Sequence, residues 1–342
     1  MAFYIGIVGT GNISRTHLRA AAELEDVKTA AIYGPRTEEA EELAREFGAT
    51  AYADWNSFLD HRPMDFVALG SPSGLHARQG IDAAGRGLHV LTEKPIDITV
   101  ERAGALVQAC RQQDRKLGVF FQDRVKTDTL RLRSWIQKGL LGNISLVSAQ
   151  VRWYRPPEYY AQSDWRGTVA MDGGGALMNQ GVHTVDLMLW LLGPVRRVMA
   201  LTATQLHRIE VEDTVAALLE FESGALGTLE ASTAAFPGYP RRLAISGSEG
   251  TVILEHDRLT SVDLRTLPED GRLEGKGDSN QSASSAVVSD TSGHRLLLEN
   301  FVQAMQGKAA LCCSGQEALS SVALVRAVYE SARSGGWVQP AG

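Results

Sequence analysis

Over its first 121 residues the chain alternates short apolar runs with amphipathic stretches, and no other feature restricts its possible folds as much. Runs at 3–8, 27–33, 50–52, 66–69, 88–91 and 117–121 have the length and side chains of strands. Helix-like patterns separate them at 15–24, 38–47, 55–59, 75–84 and 100–110. Buried strands joined through helices pair in parallel, which gives a sheet covered on both faces. A doubly wound α/β domain is expected over residues 1–122.

The alternation opens on a glycine turn. GTGNIS at 9–14 follows the first strand and leads into a helix, the order a dinucleotide site requires. Gly9 permits the tight turn. Gly11 lets the backbone approach a pyrophosphate, which then meets the helix start at Asn12 and Ile13. Ser14 stands where the third glycine of the fingerprint falls. A short match of this kind is weak alone; the alternation behind it gives it weight.

Ligands of doubly wound sheets sit beyond the carboxyl ends of the strands. Those ends carry Ser71, Pro72 and His76 in GSPSGLH, Glu93, Lys94 and Pro95 in TEKP, and Gln122 and Arg124 in FFQDR. Lys94 precedes a proline, which restricts its backbone to an extended form. A lysine fixed at this crevice is a candidate for chemistry, against the alternative of a solvated surface lysine. His76, near a helix start, is a candidate cofactor contact that capping or packing also explains.

Beyond Arg124 the alternation stops. Residues 126–138 read as a helix and 143–154 as a long strand. Further strands follow at 195–206, 213–222, 225–234, 241–246 and 250–254, and helices at 295–306 and 315–334. Short turns between strands describe a mainly antiparallel open sheet with helices on one face. The second domain, 123–342, is therefore expected to be α+β and to serve substrate binding and oligomerisation. The uncovered sheet face suits a homodimer or homotetramer partner, or a solvated surface. Residues 269–293, rich in Gly and Ser, read as a surface loop, with a subunit arm or lid as the alternative.

The segment DGGGALMNQGVHTVD at 172–186 is dense in chemistry. Consecutive glycines leave the backbone free to approach a ligand or to adopt positive φ. The helical pattern after them places Asn179, His183 and Asp186 on one face. The competing reading is a glycine turn before a core helix with one satisfied histidine. Upstream, WYRPPEYYAQSDWRGT at 153–168 gathers Trp153, Tyr154, Tyr159, Tyr160 and Trp165 beside Arg155 and Arg166. Aromatic faces cover sugar C–H surfaces and arginines bind hydroxyls or phosphates. Trp165 and Arg166 are expected at the substrate or nicotinamide, unless the aromatics only pin the loop.

Composition narrows the partners. The net charge is −6 without a basic block, which argues against nucleic acid. No apolar run reaches membrane-helix length, and the start MAFYIGIVGTG lacks the pattern of a signal peptide. Cys110, Cys312 and Cys313 give neither a disulfide framework nor a zinc spacing. A cytoplasmic, reducing location is expected.

These residues carry a resemblance. GTGNIS at 9–14, SPSGLH at 71–76, EKP at 93–95, GGGALMNQGVHTVDL at 173–187 and EDTVAALLEFESGALGTLEAS at 212–232 resemble the glucose–fructose oxidoreductase, inositol dehydrogenase and MocA-like (Gfo/Idh/MocA) family of NAD(P)-dependent sugar dehydrogenases. DGGGALMNQ and WRGT are similar to its nucleotide-sugar and anhydrosugar branches. The resemblance covers nearly the whole chain. It implies a Rossmann domain, a sugar or polyol substrate, and Lys94 and His183 as the catalytic pair. Arg124, Trp153, Arg155 and Asn179 are the further substrate candidates. Members often carry aspartate where this chain has Asn179, and an amide cannot take a proton, so Asn179 is left to orient a hydroxyl.

The expected reaction is hydride transfer between the nicotinamide and a secondary carbinol carbon of a cyclic sugar or polyol. His183 suits acid–base work on the reacting oxygen, and Lys94 would polarise it or share its proton. The second strand ends at Gly34, without a carboxylate, and Arg36 follows; Glu38 and Glu39 count the other way unless they only favour a helix start, so the cofactor expectation leans to NADP over NAD. A non-catalytic dinucleotide-binding sensor on the same fold is the alternative. A metal hydrolase built on His183, Asp186 and Asp172 lacks a further histidine, and no metal is expected.

Overall fold

A computed structural model describes residues 2–273 and 290–341. The chain divides into two compact units, 1–122 with 286–319, and 123–285 with 320–342.

In the first unit β1 (Phe3–Val8), α1 (Asn12–Ala22), β2 (Val27–Tyr33), α2 (Thr37–Phe47), β3 (Thr50–Tyr52), α3 (Trp55–Leu59), β4 (Phe66–Leu69), α4 (His76–Gly85), β5 (His89–Thr92), α5 (Val100–Gln112) and β6 (Leu117–Val119) follow one another. The strands form one parallel sheet in the order β3-β2-β1-β4-β5-β6. Strand order reverses between β1 and β4, which opens a crevice at their carboxyl ends. Ile5, Ile7, Ile32, Phe66, Val67 and Val90 are fully buried, as strands covered on both faces require.

The second unit contains α6 (Thr127–Gln137), β7 (Ile144–Arg152), α7 (Pro157–Ala161), α8 (Val182–Leu192), β8 (Val195–Ala203), β9 (Thr214–Phe221), β10 (Leu226–Ser232), β11 (Arg242–Gly247), β12 (Gly250–Glu255) and β13 (Arg258–Leu264). Its sheet runs β13-β12-β11-β7-β10-β9-β8, antiparallel except for β7 against β10. Alternation is clean in β9: Val215, Ala217, Leu219 and Phe221 are buried, while Ala216 and Leu218 are exposed. The opposite sheet face exposes Leu146, Met199, Leu201, Leu218 and Leu226.

Three expectations change. First, α9 (Ser292–Met305) and the start of α10 (Gly315–Ser334) belong to the first unit, not to a second domain running from 123 to 342. The reason is apolar: Leu297, Leu298, Phe301 and Val302 of α9 are buried, and Phe301 meets Phe66 of β4 at 5.5 Å. Second, β13 lay outside the expected strands, because Leu259 is its one buried residue and its polar positions give little periodicity. Third, the helix expected after the glycine run begins with a π-type turn at Ala176–Gly181. That wider turn breaks the spacing on which the shared face of Asn179, His183 and Asp186 rested. The excursion expected at 269–293 lies largely outside the described residues.

Candidate active site

The turn after β1 fits a dinucleotide. Gly9 has φ +108°, and a Cβ there would lie 2.8 Å from the Gly70 carbonyl oxygen and from Ser14 Oγ. At Gly11, the N-cap of α1, a Cβ would meet nothing within 4 Å. No side chain caps α1 and no acid sits in its first turn. Its leading N–H groups are thus left for an anion. Ser14 is fully buried beneath Gly9 and Gly70, so a hydroxyl fills the space of the missing third glycine.

At the end of β2, Gly34 is required by close packing: a Cβ would come 2.4 Å from the Thr10 methyl. Arg36 is engaged by Glu39 at 2.7 Å. The other Glu39 oxygen accepts the Thr10 hydroxyl at 2.7 Å. That hydrogen bond, with Arg36, holds the Glu39 carboxyl below its ordinary value. The Glu39 carboxylate, which the sequence reading set aside as favouring a helix start, therefore stands beside Arg36, and the case for a 2′-phosphate weakens.

At the ends of β4 and β5 the expected contacts turn inward. The Ser71 hydroxyl donates to Gln79 at 2.5 Å, and Pro72 precedes a short 3₁₀ turn. His76 is buried, with Nδ1 2.8 Å from the Pro95 carbonyl oxygen and Nε2 2.9 Å from that of Ser71. It ties the two turns together rather than facing outward. Glu93 is buried as well, and its Oε1 accepts from His17 Nε2 at 2.9 Å and His294 Nε2 at 3.2 Å. Its Oε2 accepts the Lys94 amide at 3.2 Å. The polar atoms of His76 and Glu93 are thus engaged by protein groups. Gln122 opens a second 3₁₀ turn, Gln122–Val125.

In the second unit the structure pairs His183 with a residue the sequence reading passed over. Asp123 Oδ2 lies 3.5 Å from His183 Nδ1, and both side chains are almost buried. Arg241 binds the same carboxylate oxygen and also pairs with Asp257. Arg241, His183 and Lys126 overcome the burial of Asp123 and pull its carboxyl down to about 2. Asp257 is delivered by the β12–β13 turn, where His256 and Asp257 hold φ of +47° and +66°. The local signal was weak: Asp123 sits between Gln122 and Arg124 in a motif already singled out, but Arg241 and Asp257 are far away in sequence.

Other candidates prove structural. Arg124 is 3% exposed and binds Asp186 with two hydrogen bonds of 2.7 Å. Ser321 donates to the same carboxylate at 3.2 Å. The Arg124 guanidinium thus neutralises a buried acid. The glycine run is also buried. A Cβ on Gly175 would lie 1.8 Å from the Glu212 carbonyl oxygen, and one on Gly174 2.2 Å from Tyr329 Oη. The Glu212 carboxylate accepts from the Gly175 and Leu177 amides and from Tyr329. Gly174 and Gly175 thus serve close approach of protein to protein, and Gly173 holds φ +72°.

Asn179 donates to Asp172 at 2.5 Å and accepts from Gln180 at 2.8 Å. Gln180 in turn accepts from Arg155 at 2.9 Å and donates to Tyr159 at 3.1 Å. Arg155 is buried, with its guanidinium over Trp153 and Tyr159. Arg166 lies over Tyr159 and Trp165 and donates to the Tyr159 carbonyl. Aromatic and amide groups of 153–180 therefore form one connected network, with Arg166 at its less buried end.

Comparison with known proteins agrees with this geometry. Residues 3–121 match the oxidoreductase family with an NAD-binding Rossmann fold. Residues 129–253 match the GFO/IDH/MocA C-terminal domain. The WlbA dehydrogenase of Bordetella pertussis, solved with NADH and UDP-GlcNAcA, is 33% identical with a TM-score of 0.90, over 99% of this chain and 97% of that one. The chain belongs to the Gfo/Idh/MocA oxidoreductase family. This family member is also similar to the rhizopine catabolism protein MocA of Rhizobium meliloti, 28% identical over 96% of this chain and 94% of that protein. The inositol 2-dehydrogenase of Rhizobium meliloti (strain 1021) is 25% identical over 97% of each. An NAD-binding oxidoreductase of this family accounts for the uncapped α1 and the glycine turn. No helix among the described residues is long and apolar enough to cross a membrane.

Proposed function

We propose that this oxidoreductase moves a hydride between NAD(H) and a secondary hydroxyl carbon of a cyclic sugar, with a nucleotide-linked sugar as the first candidate substrate. The observation that carries the reading is the buried Asp123–His183 pair, an acid–base unit that a mere cofactor sensor has no use for. The similarity to WlbA, solved with a UDP-sugar and NADH, supports the choice of substrate class. NAD in place of NADP rests on Glu39, whose charge opposes a 2′-phosphate and suits a ribose hydroxyl.

The cofactor supplies the hydride acceptor, and the uncapped start of α1 with Gly9 and Gly11 holds its pyrophosphate. The Asp123 carboxylate lies 3.5 Å from His183 Nδ1, beyond a good hydrogen bond but close enough to stabilise a charged ring. Nε2 takes the hydroxyl proton as the carbonyl forms and returns it in reduction. With Asp123 ionised, the imidazolium formed in that step gains a buried counter-charge. Lys94 polarises the same oxygen. Arg166 and Trp165 contact the sugar or its nucleotide, and Asn179 orients through the amide network. The exposed apolar sheet face, with Leu201 and Leu218, is the surface for a homodimer or homotetramer.

The test is a panel of UDP-GlcNAcA, other UDP-sugars, cyclic polyols and anhydrosugars, scored by absorbance of reduced nicotinamide. Turnover of a UDP-sugar is expected. Turnover confined to free polyols would reject the nucleotide-sugar assignment, and no turnover of any secondary alcohol would reject the reaction.

A further inference from the structure

Glu93 is a buried acid whose role the nicotinamide reaction leaves unexplained. It continues the β5 ladder, its amide donating to the Leu69 carbonyl at 2.9 Å. Its carboxyl lies well below its ordinary value despite burial, held there by hydrogen bonds from His17 and His294. Burial keeps the His17 imidazole below its ordinary value, and its Nε2 lies 2.9 Å from the carboxylate. His17 comes from α1 and also stacks on Phe120 at 4.5 Å; His294 comes from α9. A fixed anion thus joins three segments of one unit.

Two histidines and a carboxylate close together also describe a metal site. The second ring nitrogens decide between the readings. Imidazoles that bind metals nearly always hydrogen-bond through their other nitrogen. Here Nδ1 of both His17 and His294 is buried without a partner among the described residues. Both Nε2 atoms also converge on a single carboxylate oxygen, at hydrogen-bond distance. That is a clamp on an anion rather than a ligand set awaiting a cation.

What the clamp holds is the backbone of Lys94. Glu93 Oε2 accepts the Lys94 amide, and on the other side His76 Nδ1 reaches the Pro95 carbonyl. The geometry points to Glu93, gripped by His17 and His294, as the positioning residue for Lys94. A buried carboxylate is expensive where an apolar side chain would fill the same space. It is retained at the residue whose oxygen touches the amide of the proposed catalytic lysine. This inference rests on the assignment of Lys94 to the reacting oxygen.

A double-mutant cycle in the full-length protein separates the two claims, using UDP-GlcNAcA as substrate and NADH fluorescence for cofactor affinity. Glu93→Gln keeps the shape and removes the charge. It is expected to lower kcat by about 10- to 100-fold with the NADH Kd changed less than about 2-fold. In a Lys94→Met background the same substitution should change kcat less than about 2-fold, since the residue being positioned is gone. His294→Phe, which removes one donor, covers the case in which Glu93→Gln does not fold, and its smaller loss should also vanish in that background. Equal losses in both backgrounds, or losses explained by NADH affinity, would overturn the positioning role and leave Lys94 standing. Full turnover of Lys94→Met alone would overturn the lysine assignment itself. One tightly held zinc per purified chain would overturn the clamp in favour of a metal site.

Discussion

Asp123 Oδ2 stands 3.5 Å from His183 Nδ1, and the same carboxylate is bound by Arg241. Replacing Asp123 with Asn keeps the shape but removes the counter-charge that the imidazolium needs. A fall in kcat of about 10²-fold or more is expected, with NADH affinity unchanged. Stability should change with pH in a defined way. The Asp123 carboxyl drops from its ordinary 3.8 to about 2 on folding. Its contribution is therefore complete above about pH 4 and lost as pH falls through about 2. Urea unfolding from pH 5 to 2 should show this loss in the wild type and a flatter profile in Asp123→Asn.

Behind that pair stands a strained hairpin. His256 and Asp257 are both left-handed without being glycine, which costs about 1–2 kcal/mol per residue. His256→Gly should leave stability within about 1 kcal/mol of the wild type, or improve it. Asp257→Gly gains the same backbone freedom but strips Arg241 of one carboxylate. It should cost about 1–2 kcal/mol net and lower kcat by roughly tenfold. Thermal melts and steady-state rates on both variants check the contrast; equal behaviour would mean that Asp257 is there only to make the turn.

Two glycine substitutions separate folding from cofactor binding. Gly175→Ala forces a Cβ against the Glu212 carbonyl oxygen and should cost about 3 kcal/mol or more. Gly11→Ala meets no protein atom within 4 Å, so its melting temperature should stay near that of the wild type. Its NADH Kd should rise at least about tenfold, because the added methyl enters the space reserved for the pyrophosphate. Calorimetry with and without NADH distinguishes the two.

Glu39 gives a test of cofactor choice. The ratio of kcat/KM for NAD over NADP should exceed one in the wild type. Glu39→Ala removes the charge and releases Arg36 from its ion pair. The ratio should then fall at least about tenfold toward NADP. A wild-type preference for NADP would restore the reading made from Gly34 and Arg36 alone.

Much of the fold was legible because period and punctuation agreed: β1, β2, β3 and β4 run over the residues their apolar runs mark. Edge strand β13 was not, since one buried leucine carries no period. The glycine turn was legible because its constraint is local: Gly9 holds φ +108°. The site was less legible where charges pair over distance. Nothing in the sequence signalled that Asp186 takes two hydrogen bonds from Arg124, and the weight of Glu39 against Arg36 came only from their contact. Asp123 became visible only through partners more than fifty residues away, His183 and Arg241. The glycine run was read in part: Gly173 takes the positive φ its type allows, while Gly174 and Gly175 make room for Tyr329 and Glu212, which are distant in sequence.

The most direct measurement is turnover of UDP-GlcNAcA by Lys94→Met and His183→Ala, each with its NADH Kd. Both variants should lose about 10²- to 10⁴-fold in kcat while binding NADH as the wild type does. Turnover near the wild-type rate in both would contradict the assignment of the proton chemistry to this lysine and this histidine.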